Sequence, residues 1–498
     1  MVMLWYGYIY YVASIFLLLV TFLFVFKLAN SYQTITTRWS VKFSTTLLNT
    51  FMVFCSISFL FIYSLFEHYS SFFELNSILE TSNLVVYSSQ ISPSNCLHFF
   101  ELNVDYVAVY TFPFIFIFIF VTAISILFCL SYNFNEFTSF LAYCILISIS
   151  GCTLFYTNSL ILFFLAYETL LVPSFFILYG FAKTRRCIEA SYLMFFWTQF
   201  GALFLILGFL FVFSICETSS FSGLSNYNFN TFELNFLFMC LLIGFGVKLP
   251  IWPFYGWLPK AHVEASTNFS IFLSGVLVKF AFFGFFKCLM IIHLEPTFYF
   301  VYPFLFVGIV DAVFKLFYQI DLKKLVAYST VVEMHWLTIC VISGQSCLML
   351  ASFCMLISHA LLSTNSFLLV DAIGRRFKTR LVTEISGLNF LCPKLFIVTL
   401  INLLIFLGFP GSIMFVSEIL FFGFFLDLFP LMALILVILL YLLAPTFFFK
   451  TWMNAIFGNS IALKKQIPVD LNSKELLLYG SLLFIMFWLG LSWQAFIF

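Results

Sequence analysis

Residues 241–266 read LLIGFGVKLPIWPFYGWLPKAHVEAS. The first ten extend an apolar run that starts near Leu234 and carries a charge, Lys248, close to its end. Pro250 and Pro253 follow at once. Proline removes a backbone donor and clashes with the preceding turn, so the spacing predicts a helix that breaks just after Lys248. Backbone groups freed by such a break persist at membrane depth only where protein buries them or water reaches them. The stretch therefore describes a discontinuous helix with a lysine at its break, and the remaining question is what surrounds it.

Composition answers that question. Of 498 residues, 63% are hydrophobic and only 9% charged. Mean hydropathy is +1.11. A soluble domain carries about a quarter of its residues as charged ones, so lipid must cover most of this chain. Net charge is +1, which offers no basic bias towards nucleic acid. The 13 cysteines are scattered with no C-x-x-C, which argues against a zinc or iron–sulfur site. Walker, G-x-G-x-x-G and H-E-x-x-H patterns are absent, and His262-x-Glu264 has no accompanying P-C-x-x-C. No cofactor or metal is expected on this chain. The N-terminus has neither an Arg-rich transit segment nor a signal cleavage site, so the first apolar run is expected to be a retained helix. The 77 phenylalanines suggest an AT-rich coding sequence, as in organelle genomes.

A spanning helix needs about 20 apolar residues, and by that measure there are about 14 spans. The fifth covers residues 160–181, the seventh 234–250, the eighth 270–292, the tenth 325–342, the eleventh 348–370 and the twelfth 395–422. Nineteen of the 22 basic residues fall in or beside loops that follow odd-numbered spans. A miscounted helix would scramble that asymmetry. The positive-inside rule then places those loops in the matrix or cytoplasm and both termini on the opposite side. Lys287 is expected to snorkel from the other side.

The fold class read from this is all-α: a polytopic transmembrane bundle. A charge at mid-bilayer costs at least ~3 kcal/mol and usually marks an ion path. Glu168, Lys248, Lys279, Glu333, His335, His359 and Glu418 occupy such positions. Gly408, Pro410 and Gly411 interrupt the twelfth span as Pro250 and Pro253 interrupt the seventh, and Glu418 follows. Two discontinuous helices, 7 and 12, five helices apart, suggest a five-helix repeat whose second copy is inverted. The expected division is helices 1–3 (residues 1–130), a first repeat (131–296), a second repeat (297–455) and a last helix (456–498). Blander readings exist for each residue. A lone membrane glutamate also bonds neighbouring backbone, and His359, beside Ser358, also suits a neutral packing role. Asp311 and Asp371 lie near span ends and read as interfacial.

Several of these stretches resemble one family. GVKLPIWPFYGWLPKAHVEAS is similar to the V-K-x-P and W-L-P-x-A-H-x-x-A-P pattern of respiratory complex I membrane-arm subunits related to Mrp-type antiporters. SGVLVKFAFFGFFK places Lys279 at that family's second lysine, and LAYETLLVPSFF places Glu168 on its glutamate helix. KKLVAYSTVVEM resembles its tenth helix, and SHALLSTNSFLLVDAIGRR its histidine-bearing eleventh. Glu418 sits where the antiporter-like subunits called 2 and 5 usually carry lysine. Two departures stand out. Ser266 replaces the usual proline. Glu333 occupies the usual histidine position, with His335 two residues on.

The resemblance implies a proton-translocating subunit of the mitochondrial inner membrane, with NADH oxidation and quinone reduction performed elsewhere in the complex. Glu168 and Lys248 would be the input pair. Lys279, Glu333 or His335, and His359 would relay, and Glu418 would release. FMN, iron–sulfur clusters and ubiquinone are expected on other subunits. The implied partners are the other membrane-arm subunits, especially antiporter-like subunits 2 and 5, with membrane lipids. The competing reading is a stand-alone Mrp-type cation/proton antiporter subunit.

Overall fold

A computed structural model describes residues 134–181, 184–216, 218–224, 229–292, 300–439 and 469–491, with Val121, Tyr227, Trp452, Met453 and 455–457. Apart from Val121, the first three predicted spans (residues 10–26, 46–66 and 107–130) lie outside those residues, as do the loops with Lys27, Arg38, Lys42 and Lys183, the later part of the thirteenth span (429–449) and Lys450, Lys464 and Lys465. Among the described residues every regular element is a helix, and the only β pairing is two isolated bridges, Ser159–Ser220 and Asp321–Leu381.

The described helices of eight residues or more are α1 (Phe134–Tyr156), α2 (Leu160–Gly180), α3 (Arg185–Cys216), α4 (Thr231–Lys248), α5 (Trp257–Glu264), α6 (Thr267–Ile291) and α7 (Val301–Phe317). They continue with α8 (Leu322–Ile342), α9 (Ser346–Phe377), α10 (Pro393–Phe406), α11 (Ile413–Leu428), α12 (Pro430–Ile438) and α13 (Ser473–Leu491). Six are long and apolar enough to cross a membrane: α2, α3, α4, α6, α8 and α9. Burial separates them. Within their most apolar stretches α6 and α8 are 94% buried and α9 is 89%, against 33% for α3. The charged candidates on α6, α8 and α9 are therefore interior, while α3 presents Phe196, Leu203 and Leu210 outward.

Local chemistry fixes the helix ends. Asn230 and Glu233 form a capping box at the start of α4. Asp321 accepts from the Lys323 amide at the start of α8 (2.9 Å) and Ser412 from the Phe415 amide at the start of α11 (3.3 Å). Ser266, in place of the family's proline, accepts from the Phe269 amide and caps α6. The position keeps its role as a helix start through a side-chain oxygen.

Both predicted breaks are present. α4 stops at Lys248, and the freed carbonyls find donors at once. Phe245 O accepts from Leu249 N (2.8 Å), Gly246 O from Ile251 N (3.0 Å) and Val247 O from the Trp257 indole (2.9 Å). α5 then resumes. Its Trp257, Leu258, Ala261 and His262 are buried, so residues 257–264, which lie between the seventh and eighth predicted spans, form the second half of the broken helix. The second break separates α10 from α11, with Gly408 at φ +70° and Gly411 at φ +91°.

Two lysines depart from expectation. Lys287 does not snorkel. It is 6% exposed, and its Nζ donates to Thr157 O (2.6 Å) and Phe155 O (3.5 Å) while lying 4.9 Å over the Phe221 ring. The last carbonyls of α1 have no intrahelical donor, and a cation at a helix C-terminus suits them. Lys323, expected in a solvated loop, is equally buried and donates to Ala265 O just past α5 (2.5 Å). Arg380 donates to Val263 O (2.9 Å) and pairs with Asp321 (2.8 Å), and Thr267 donates to Asp371 (2.9 Å). These contacts gather loops after odd-numbered spans at one end of the bundle, as the charge asymmetry requires.

A Cβ on Gly408 would run into the Glu418 carboxylate, and the φ there is left-handed. Gly408→Ala is expected to cost on the order of 1–3 kcal/mol in backbone strain alone. Gly423→Ala, in α11 with nothing within 4 Å of the added carbon, should be neutral or slightly stabilising. Thermal denaturation of the two variants in the assembled protein checks the contrast.

Candidate functional site

The candidate charges form two groups, with Glu418 on α11 near the second. In the first group Glu168 lies in α2 just before that helix is interrupted between Thr169 and Leu171. Lys248 lies in the last turn of α4. Their Nζ–Oε1 separation is 3.4 Å, with both side chains largely shielded from solvent. The ammonium has a second seat: it donates to Tyr167 O at 3.1 Å and stands 3.4 Å over the Tyr167 ring. The carboxylate has a second holder too, because Gln199 Nε2 on α3 donates to its other oxygen at 3.0 Å. The ion pair can therefore open without either member losing every partner. Gln199 escaped the sequence reading, since a neutral amide in an apolar helix carries no charge signal. Its place beside Glu168 is visible only once the helices pack.

The second group is centred on Lys279 in α6. That helix contains a π-helical segment, Leu273–Leu277. A π-bulge disrupts the regular ladder and is frequent at functional sites. Here Lys279 Nζ reaches back to donate to Ser274 O, inside the π segment. The same Nζ is hydrogen-bonded to His359 Nδ1 on α9. His359 Nε2 faces Glu333 Oε2 on α8 across 4.0 Å. Lys279, His359 and Glu333 are 3%, 2% and 4% exposed, so this acid–histidine–lysine row is sealed from bulk water by the helices themselves. Ser274 Oγ also donates to Ser363 Oγ (3.2 Å), which continues the polar seam along the α6–α9 contact.

His335, the other candidate on α8, is not part of the row. Its Nδ1 bonds Val331 O (2.7 Å), and its Nε2 accepts from the Trp252 amide (2.8 Å). Two residues along a helix differ by about 200° in direction. Glu333 therefore faces Lys279 and His359, while His335 faces the helix break. Of the two positions left open by the sequence, Glu333 is the one brought to Lys279 and His359.

Glu418 on α11 is 7% exposed and packs against the backbone of Gly408 in the second break. It interacts electrostatically with Glu333, as Lys279 does. Asp311 and Asp371 are partly exposed and paired, with Lys315 and Arg375 respectively (2.8 Å each), as interfacial residues would be.

What this arrangement offers chemically is three places that can hold or pass a proton in an apolar interior: a carboxylate–lysine pair, a lysine–histidine–carboxylate row and a further carboxylate. Its helix breaks lie at Pro250, Pro253, Gly408, Pro410 and Gly411.

Residues 157–456 match the family described as NADH:quinone oxidoreductase/Mrp antiporter, TM. The chain is 36% identical over 337 residues to NADH-ubiquinone oxidoreductase chain 4 of Paramecium tetraurelia, covering 66% of this chain and 70% of that one. It is 31% identical over 352 residues to the protein of the same name from Marchantia polymorpha, covering 69% and 70%. Among solved structures it resembles a chain of respiratory complex I from Thermus thermophilus with bound NADH, with TM-score 0.67 and 20% identity over 76% of this chain and 81% of that one. It resembles a chain of the Mrp complex from Dietzia sp. DQ12-45-1b equally in fold, with TM-score 0.67 and 16% identity over 77% and 81%. With a match over more than half its length and a one-third identical relative aligned over most of that relative, this chain belongs to the NADH:quinone oxidoreductase/Mrp antiporter transmembrane family.

Proposed function

We propose that this chain is a proton-translocating membrane-arm subunit of NADH:ubiquinone oxidoreductase. On this reading it couples NADH oxidation and quinone reduction, carried out on other subunits, to proton movement across the mitochondrial inner membrane. The observation that carries the proposal is the set of ionisable groups shielded inside a chain of this family: the Glu168–Lys248 pair, the Lys279–His359–Glu333 row and Glu418. An isolated buried charge is costly, and a line of them inside a membrane bundle is the signature of an ion path.

Each group has a task. Glu168 takes up a proton when the Lys248 ammonium withdraws to its seat on Tyr167, because the lysine's charge no longer stabilises the carboxylate. The proton then passes through water to Lys279 and along the hydrogen bond to His359. Glu333 holds it next, and Glu418 releases it at the second break. Lys279 and His359 are already in hydrogen-bond contact, so that step needs no large movement. The two breaks and their nearby charges support two inverted five-helix repeats, residues 131–296 and 297–455, flanked by helices 1–3 (residues 1–130) and a last helix (456–498). Multi-pass placement follows from the six spanning helices. The clustering of basic loops at one end supports termini on the intermembrane side. Neighbouring antiporter-like subunits 2 and 5 and membrane lipids are the partners that this reading implies. FMN, iron–sulfur clusters and ubiquinone belong to other subunits.

A stand-alone Mrp-type cation/proton antiporter subunit is the second reading, favoured by the equal fold similarity to the Dietzia Mrp chain. The named sequence relatives and Glu418 favour the respiratory complex.

Glu168→Gln in the reconstituted complex is the direct test. Loss of proton pumping with slowed NADH:quinone turnover supports the path, and unchanged pumping and turnover removes Glu168 from it. Gln199→Met keeps the volume but removes the donor to Glu168. A hydrogen bond to a charged group contributes about 1.5–3 kcal/mol, so coupled turnover should fall by roughly ten- to a hundredfold, measured as proton uptake alongside NADH oxidation.

A further inference from the structure

The break between α4 and α5 poses a problem that the ladder of backbone bonds does not solve. Pro250 and Pro253 offer no N–H, and the Trp252 amide between them points away from α4. Inside a bundle such a donor must find an acceptor or stand at a penalty. The acceptor is His335 Nε2, 2.8 Å away on α8. The imidazole is 0% exposed. Its other nitrogen is engaged as well, since Nδ1 bonds Val331 O one turn back on the same helix (2.7 Å). Accepting at Nε2 fixes the proton on Nδ1, where it is donated to that carbonyl. Both nitrogens are thus committed to backbone groups. Binding a further proton would require releasing the Trp252 amide.

The neighbouring helix is shaped to admit this contact. Gly308 on α7 has no room for a Cβ, because the His335 ring and the Trp252 side chain occupy the space. One turn further along α7, Asp311 accepts a hydrogen bond from the Tyr255 hydroxyl, and Lys315 donates to that hydroxyl at 2.5 Å and to Asp311 at 2.8 Å. Tyr255 packs its ring edgewise against His335 at 6.3 Å. The break is therefore held at Trp252 by α8 and at Tyr255 by α7.

We propose that His335 is a positioning residue: its imidazole anchors the Trp252 amide, and so places the broken end of α4 that carries Lys248, without carrying protons itself. The inference deepens the proposed function, because what His335 positions is the input lysine of that path. It reassigns one of the two α8 positions between which the sequence does not choose.

The test separates an acceptor from a relay. His335→Gln can present an amide oxygen near the Nε2 position but cannot titrate. His335→Leu fills the space with no acceptor. Both are made in the assembled complex and compared for proton pumping, NADH:quinone turnover and hydrogen exchange at the Trp252 amide, with Glu333→Gln alongside. The expected result is a pumping His335→Gln complex with the Trp252 amide still protected. His335→Leu should fail to assemble, or be slowed by about tenfold, the scale set by one orphaned amide, with faster exchange at Trp252. A His335→Gln complex that does not assemble or does not pump overturns the inference, as does a His335→Leu complex that behaves like the parent. Retained pumping in Glu333→Gln would instead count against the proposed path and leave the His335 assignment standing.

Discussion

An ammonium group taken out of water needs oxygen atoms around it, and the ends and irregularities of helices supply carbonyls that lack an intrahelical donor. Four lysines shielded from solvent meet this constraint in the same way. Lys248 rests on Tyr167 O at the interruption of α2, and Lys279 on Ser274 O in the π segment of α6. Lys287 takes Thr157 O beyond the end of α1, and Lys323 takes Ala265 O beyond the end of α5. Each cation sits where the helical ladder is broken. The irregularities of the backbone and the charges of the interior are one arrangement, since neither is tolerable in hydrocarbon without the other.

This pairing accounts for the architecture around it. The most buried helices, α6, α8 and α9, carry the ionisable row. The less buried α3 contributes a neutral amide, which is all that a helix largely facing outward can bring to a charged site. On the proposed reading, an ion pair with a spare seat for its cation and a spare donor for its anion is well suited to opening and closing. Both states keep their groups solvated by protein, so neither bears the full desolvation penalty of an unpaired charge.

Much of this is legible in the sequence. A charge inside an apolar run is conspicuous, and proline or glycine beside it marks the break; Glu168, Lys248, Lys279, His359 and Glu418 all emerge that way. What stays hidden depends on packing. Lys287 and Lys323 lie near span ends, where composition fits a snorkelling side chain equally well, and only the approach of α1 and α5 buries them. Gln199 has no charge to betray it. Glu333 and His335 are both plausible from spacing, and their opposite facing is settled by which helix each one meets. Ser266 reads as a lost proline until its hydroxyl is seen capping α6. The α5 segment, polar and proline-flanked, reads as loop because half of a broken helix is too short to register as a span.

The fastening of α6 has a mechanical consequence. Near one end Lys287 grips the terminus of α1, and at the other Thr267 is bonded to Asp371 at the foot of α9. A helix tied at both ends to different neighbours cannot slide along its axis without breaking one attachment, so Lys279 keeps a fixed height in the bundle. A signal reaching this lysine from a distance would then travel as a change in electric field and in side-chain rotamer, with the helical frame acting as a stationary rail.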